Sequence, residues 1–233
     1  GDTDPEISIT LSPAVNQYGK DITITLKASD GFLTMVETFL LDVTPVNDAP
    51  NARDDTLNYV EDTSRTIDIE SSMLANDTDI DNDNSSLVFV EVVSTTSHGT
   101  LVDNLDGTLI YSPDQDYGGN DSFVYRIEDP DGAQDTATVT LRGSSVNDSP
   151  TISAIDDQTS NEDKTVYIPF VIGDPDLSGA ELDSLALTLQ ASDPTIVDRS
   201  SVAITGSGEN RQLEITPIEH KNGTVSITVT VSD

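Results

Sequence analysis

Val46-Asn47-Asp48-Ala49-Pro50 returns one hundred residues later as Val146-Asn147-Asp148-Ser149-Pro150. A period of this length is that of a complete folded unit, since solenoid repeats that need their neighbours run about 20–50 residues. The phrase reads as a linker. Its proline has no N–H, fixes φ and pushes the residue before it toward extended backbone, so the chain leaves each unit stiffly. The Asn-Asp pair before it places side-chain oxygens where two units meet. The period divides the 233 residues into 1–46, the C-terminal part of a unit; 47–146, a complete unit; and 147–233, a unit that stops short.

A unit of about 100 residues can bury its own core. Within the middle unit, short alternating runs mark seven strands, near Leu57-Tyr59, Thr66-Ile69, Leu87-Val93, Thr100-Val102, Thr108-Tyr111, Ser122-Glu128 and Asp135-Leu141. Period-two patterning with turn residues between the runs predicts a β-sandwich, and helical periodicity is absent throughout. In residues 1–46, Ile22, Ile24, Leu26 and Ala28 fall on one face, Ser29-Asp30-Gly31 turns the chain, and Met35 to Thr44 gives a last strand. Ser12-Pro13, Ser112-Pro113 and Thr216-Pro217 stand at nearly constant distance before Asp30, Asp129 and Asp233. By that register residues 147–233 form a unit lacking its last strand, and neither end unit is expected to be stable unless an end strand finds a partner. The fold expected is all-β: tandem sandwich domains joined end to end.

A formal charge of −33, from 10 Lys+Arg against 43 Asp+Glu, argues against nucleic acid and anionic membrane as partners, because both need a basic face. Disorder is set aside because 35% of residues are hydrophobic and alternate cleanly. With no cysteine there is no disulfide or thiolate site. No apolar run reaches the length of a membrane span, and no signal peptide is expected within these residues. The chain opens on Gly1 rather than methionine and is expected to be an internal piece of a longer protein.

The motifs of the middle unit are Glu61-Asp62, Asn76-Asp77-Thr78-Asp79-Ile80-Asp81, His98-Gly99-Thr100, Asp106-Gly107-Thr108, Tyr111-Ser112-Pro113, Gly118-Gly119-Asn120-Asp121-Ser122-Phe123 and the closing Val146-Asn147-Asp148. In these the chain resembles the cadherin-like, immunoglobulin-like tandem repeats of large secreted bacterial adhesins of the RTX type. Residues 147–233 match more loosely, through Asn161-Glu162-Asp163, Gly173-Asp174-Pro175-Asp176 and Val229-Thr230-Val231-Ser232-Asp233. The resemblance implies a calcium-stiffened extracellular rod.

The case for Ca2+ also stands on topology alone. Strands that alternate in direction bring the linker, the loop between the second and third strands, and the loop between the sixth and seventh to one end of a sandwich. In the middle unit this leading end collects Asn47 and Asp48, Asp77, Asp79 and Asp81, and Asp129 and Asp131. The trailing end holds Glu61, Asp62, Asp114 and Asp116, which face Asn147, Asp148, Asp174, Asp176 and Asp233 of the next unit. Calcium takes six to eight oxygens and accepts irregular geometry, so a cluster drawn from two domains suits it better than magnesium. Asp48, Glu61 and Asp148 are the foremost candidates. Cadherins, which this arrangement resembles, use a D-x-N-D-N linker and a glutamate from the preceding domain. Asn47-Asp48, Asn147-Asp148 and Glu61 match, whereas Pro45, Ser145, Ala49 and Ser149 depart, which implies fewer ions per joint.

Asp77 to Val88 is not an EF-hand, having Asn82 where glycine and Val88 where glutamate are required, although a calcium loop within the domain stays open. Single aspartates in such loops are often turn residues, and Asp54-Asp55 and Asp156-Asp157 read as solvated strand starts. His98 and His220, the only histidines, lie in different units and near turns. No nucleophile elbow, phosphate loop or Cys/His cluster is present, so no catalytic residue is expected. Tyr111, Tyr117, Phe123 and Tyr125 read as core and corner residues, and tryptophan is absent, which weighs against a sugar platform.

The functional expectation is a non-enzymatic extender on a bacterial cell surface or in a secreted protein. Its partners would be neighbouring repeats and calcium, it would hold a distal adhesive domain of unidentified ligand, and it would fold outside the cell where calcium is plentiful. The alternatives are a glycan- or protein-binding module, or spacer repeats of a secreted hydrolase.

Overall fold

The computed structural model describes residues 8–233. The first element is a hairpin of β1 (Gly19–Ser29) and β2 (Thr34–Val43), paired antiparallel with Ser29 opposite Thr34. Asp30 holds its turn by accepting the N–H groups of Phe32 and Leu33 on one carboxylate oxygen. Apolar side chains on and beside the hairpin, Phe32, Met35 and Leu40 among them, are exposed.

The middle unit contains β3 (Asp55–Asn58), β4 (Arg65–Asp68), β5 (Val88–Ser94), β6 (Gly99–Asp103), β7 (Thr108–Pro113), β8 (Asn120–Glu128) and β9 (Gln134–Arg142). Their bounds lie within two residues of the seven runs read from the sequence. One sheet has the order β3-β9-β8-β5 and the other β4-β7-β6. The first and last strands, β3 and β9, pair in parallel, from Asp55 opposite Val139 to Asn58 opposite Arg142. On β8 the side chains of Phe123, Tyr125 and Ile127 enter the core while Val124, Arg126 and Glu128 are only partly buried, as period-two geometry requires. Ile67, Met73, Leu109, Tyr111, Val139 and Leu141 complete a closed interior between the sheets.

Beside the strands, one helical turn, α1 (Ile69–Ser72), follows β4, with Asp68 as N-cap accepting the Ser71 N–H at 2.8 Å. Short 3₁₀ turns occur at Leu74–Asn76, Asn84–Ser86, Gly179–Ser184 and Arg199–Ser201. A single turn is too short to show a 3.6-residue period, so hydrophobic patterning is blind to it.

The third unit holds β10 (Thr151–Ile152), β11 (Val166–Gly173), β12 (Ala186–Ala191), β13 (Val202–Ser207), β14 (Asn210–Ile215) and β15 (Ile227–Ser232). Its sheets are β10-β11-β14-β13 and β12-β15. β12 and β15 stand where β5 and β8 stand in the middle unit. Ile168, Phe170, Ile172, Leu182, Leu185 and Leu213 form its buried core, smaller than that of the middle unit. No helix among the described residues is long and apolar enough to cross a membrane.

Candidate metal centre

At the leading end of the middle unit two loops are tied to the linker. Asn47 Nδ2 donates to Asp129 Oδ2 at 2.7 Å, and the Asp48 N–H donates to Asp81 Oδ2 at 2.7 Å. Asp79 Oδ1 accepts the N–H groups of Asp81 and Asn82, and Asp129 Oδ1 accepts those of Asp131 and Ala133. Asn82, which was not among the candidates, reaches Asn47 Oδ1 with its amide at 3.4 Å.

The same constellation recurs one period later. Asn147 Nδ2 donates to Asp233 Oδ2, the Asp148 N–H to Asp176 Oδ2 at 2.7 Å, and the Asp176 N–H to Asp174 Oδ1 at 2.9 Å. In both copies the second oxygen of the leading aspartate, Asp79 Oδ2 or Asp174 Oδ2, is buried without a hydrogen-bond partner, and Asp148 Oδ2 is buried and unpartnered too. Buried carboxylate oxygens are rarely left unpaired, and a cation completes them where no donor does.

Across the second linker the two units share carboxylates. Glu61, Asp148 and Asp176 each offer an oxygen within 4.8 Å of the others, and so do Asp62, Asp116 and Asp148. Two oxygens on opposite sides of a calcium ion lie about 4.6–5.2 Å apart, so both groups have the span of a coordination shell. Asp148 belongs to both. Glu61 is 2% exposed, and its Oε1 accepts the Val146 N–H at the head of the linker. The loop of Gly118 closes over it: a Cβ on Gly118 would stand 3.0 Å from Glu61 Oε2 and closer still to Ser145.

Asp62 and Asp116 both adopt left-handed backbone, at φ 57° each, and are joined by an Asp116 N–H donating to Asp62 Oδ1 at 3.1 Å. Left-handed conformations in residues with a Cβ are uncommon and concentrate at functional loops. Burial, followed by the charges of Asp116, Asp62, Asp176 and Glu61, pushes the Asp148 carboxyl above its ordinary range. The donor set is all oxygen, dense in charge and self-repelling, which fits a hard divalent cation such as calcium.

Four candidates stand apart. Asp114 is exposed and belongs to neither carboxylate group, Asp48 and Asp131 contribute backbone N–H groups, and Asp77 turns into the protein. Asp77 is 1% exposed, accepts the Arg53 N–H at 2.8 Å and lies 3.2 Å from the Tyr125 hydroxyl. Asp55 is not the solvated strand start that the sequence suggested. It is half-buried, faces the same hydroxyl at 3.1 Å and accepts the Asn76 amide at 3.0 Å.

Burial, together with the charge of Asp77, raises the Asp55 carboxyl to about 6 despite the hydroxyl that stabilises its anion. A carboxyl raised above its unfolded value contributes stability that is fully present below about pH 3.8 and is lost as pH rises through about 6. In chelator, the stability of the wild-type chain relative to Asp55→Asn is therefore expected to fall between pH 4 and pH 7. Urea unfolding at both pH values checks it, and a difference that does not change with pH would refute the coupling.

Residues 46–142 match the family model of the cadherin-like domain, and residues 147–233 match that of the bacterial Ig domain. No curated protein matches the chain in sequence. Among solved structures, cadherin domains 1–4 of protocadherin gamma B7 align with a TM-score of 0.53 at 14% identity, covering 91% of this chain and 56% of that one. The protocadherin gamma B4 extracellular domain aligns over 90% of this chain and 36% of its own length, at 16% identity and a TM-score of 0.44. The chain thus spans little more than half of the first of these structures and about a third of the second. At 14% identity the likeness to the first of these is one of fold, and it agrees with the sheets described above. The chain is a tandem of β-sandwich domains, cadherin-like over residues 46–142 and immunoglobulin-like over residues 147–233.

Proposed function

We propose that the chain is a run of extender repeats in a large secreted or surface-bound bacterial adhesin, stiffened at its joints by calcium, with a mechanical rather than a catalytic role. The observation that carries this reading is the repeated linker constellation, whose second copy brings carboxylates of two units within one coordination span. Glu61, Asp62 and Asp116 from the middle unit and Asp148 and Asp176 from the next would hold the ion, with Asp174 turning its unpartnered oxygen to the same purpose. Bound calcium supplies the positive charge that lets these carboxylates share one space. Without it they repel, and the joint loosens. The Asn147 and Asp148 contacts to Asp233 and Asp176 keep the linker seated on its own unit, so that flexion is confined to the shared site.

Extracellular modules hold calcium at roughly 10⁻⁴–10⁻³ M, a range in which the external medium is permissive and the cell interior is not. Calcium at one hundred times its dissociation constant is expected to stabilise the folded chain by about 2.7 kcal/mol, a rise in melting temperature of roughly 10–20 °C for units of this size. Thermal unfolding in chelator, in magnesium and in millimolar calcium checks this, alongside Glu61→Gln and Asp148→Asn, which keep shape and remove charge. A calcium-specific rise lost in both variants supports the reading. An equal response to magnesium, or none to either ion, defeats it.

A further inference from the structure

The third unit contains a slot between the free edges of its two sheets, walled by β12 on one side and β13 on the other, with a volume of about 580 Å³. Small-molecule sites commonly enclose about 300–1,000 Å³ and have apolar walls with a few placed polar groups. Leu185, Leu187, Leu189, Val202 and Ile204 form the apolar wall here. A seventh strand would not close the slot. In the middle unit β9 lies beside β8, on the side away from β5, so a strand added beside β15 would leave β12 at the edge.

The polar group in this wall is Arg211. It occupies an inward-facing position of β14, opposite Phe170 on β11 and Gly206 on β13, two residues before the buried Leu213. Its side chain is 5% exposed. Nη2 donates to Leu182 O at 3.3 Å and to Asp183 Oδ1 at 2.8 Å, while Nη1 is buried with no acceptor. Arg199, which is exposed, lines the same slot, so two arginines and one carboxylate, that of Asp183 paired with Arg211, line it in a chain of formal charge −33. A surface this acidic repels anions in general, which makes a paired arginine lining a local exception. A guanidinium N–H without an acceptor, an apolar wall and a second arginine at the rim together describe the complement of a carboxylate on a short aliphatic body.

We propose that this slot is a binding site for small aliphatic carboxylates, with Arg211 Nη1 donating to one carboxylate oxygen, Arg199 neutralising the charge at the mouth, and the leucine and valine wall taking the hydrocarbon. The site shares no residue with the linker carboxylates, so its test is independent of calcium. Sodium octanoate titrated into the 233-residue chain in chelator, followed by amide NMR, is expected to shift β12 and β13 signals saturably. Octylammonium is expected to leave them in place. Arg199→Ala, at an exposed position, is expected to weaken octanoate roughly tenfold, the loss of one charge-assisted contact. Arg211→Met, accepted only if its spectrum remains folded, should abolish the shifts. No saturable shift with octanoate, an equal shift with octylammonium, or unchanged affinity in Arg199→Ala would each overturn the proposal.

Discussion

Asp121→Ala is expected to destabilise the middle unit by about 3–5 kcal/mol. The Asp121 side chain is 7% exposed, and its two oxygens accept the N–H groups of Ser97, His98 and Ser122 at 2.8–2.9 Å and the Tyr111 hydroxyl at 3.1 Å. It pins the loop before β6 to the start of β8 and receives a hydroxyl from the core. Alanine strands three backbone donors in part-buried surroundings. Asparagine fares little better, because its amide nitrogen must face donors on whichever side it turns. Burial alone would raise the Asp121 carboxyl, but the three N–H groups and the hydroxyl together hold it below its ordinary range. The stabilisation is thus present above about pH 3.8 and disappears as acid titrates the lowered group. Urea unfolding monitored on β8 amide signals measures the loss, and a cost below about 1 kcal/mol would show that the loop finds other acceptors.

Leu141→Ala is expected to cost about 2–5 kcal/mol, the range for emptying a fully buried leucine site. Leu141 lies at 0% exposure near the end of β9, opposite Asp121 on β8 and Leu57 on β3, just before the chain leaves for the linker. Three strands converge there, and backbone closes the space below: a Cβ on Gly143 would lie 2.5 Å from the carbonyl oxygens of Gly118 and Gly119. The cavity therefore has little room to collapse, which places the cost toward the upper part of the range. Thr136→Ala, exposed on the same strand, is the control and should stay within about 0.5 kcal/mol of wild type. Equal losses in the two variants would refute the assignment of Leu141 to the core.

The sandwich was legible because alternation is a direct image of strand geometry, and Phe123, Tyr125 and Ile127 show it without interruption. The meeting of Asn47, Asp48, Asp79, Asp81 and Asp129 at one end was legible for a different reason: alternating strand directions dictate which loops are neighbours. What patterning could not supply was depth. Asp77 and Asp79 are two residues apart in one acidic run, yet Asp77 lies under Tyr125 and Asp79 lies at the linker, and nothing in their types separates them. Asp55 next to Asp54 repeats the lesson: Asp54 accepts the Thr138 N–H and Asp55 faces Tyr125. Asp114 and Asp116 share a loop, but the left-handed backbone falls at Asp116, and it is Asp116 that joins Asp62 and Asp148. Arg211 was missed although it stands two residues before Leu213, because an arginine on a core face is credible only once its acceptor, Asp183 on a distant turn, is known.

The parallel pairing of β3 with β9 has a mechanical meaning. The chain enters the middle unit just before β3 and leaves just after β9, and the two strands run side by side in the same direction. Tension on the array pulls β3 back toward its beginning and β9 onward past its end, so the four residue pairs from Asp55–Val139 to Asn58–Arg142 slide against one another rather than peel apart. Their hydrogen bonds bear the load together, and none can be released ahead of the rest. Each unit built this way resists up to a threshold and then gives way at once, so an array of them lengthens under force in discrete steps, one domain at a time.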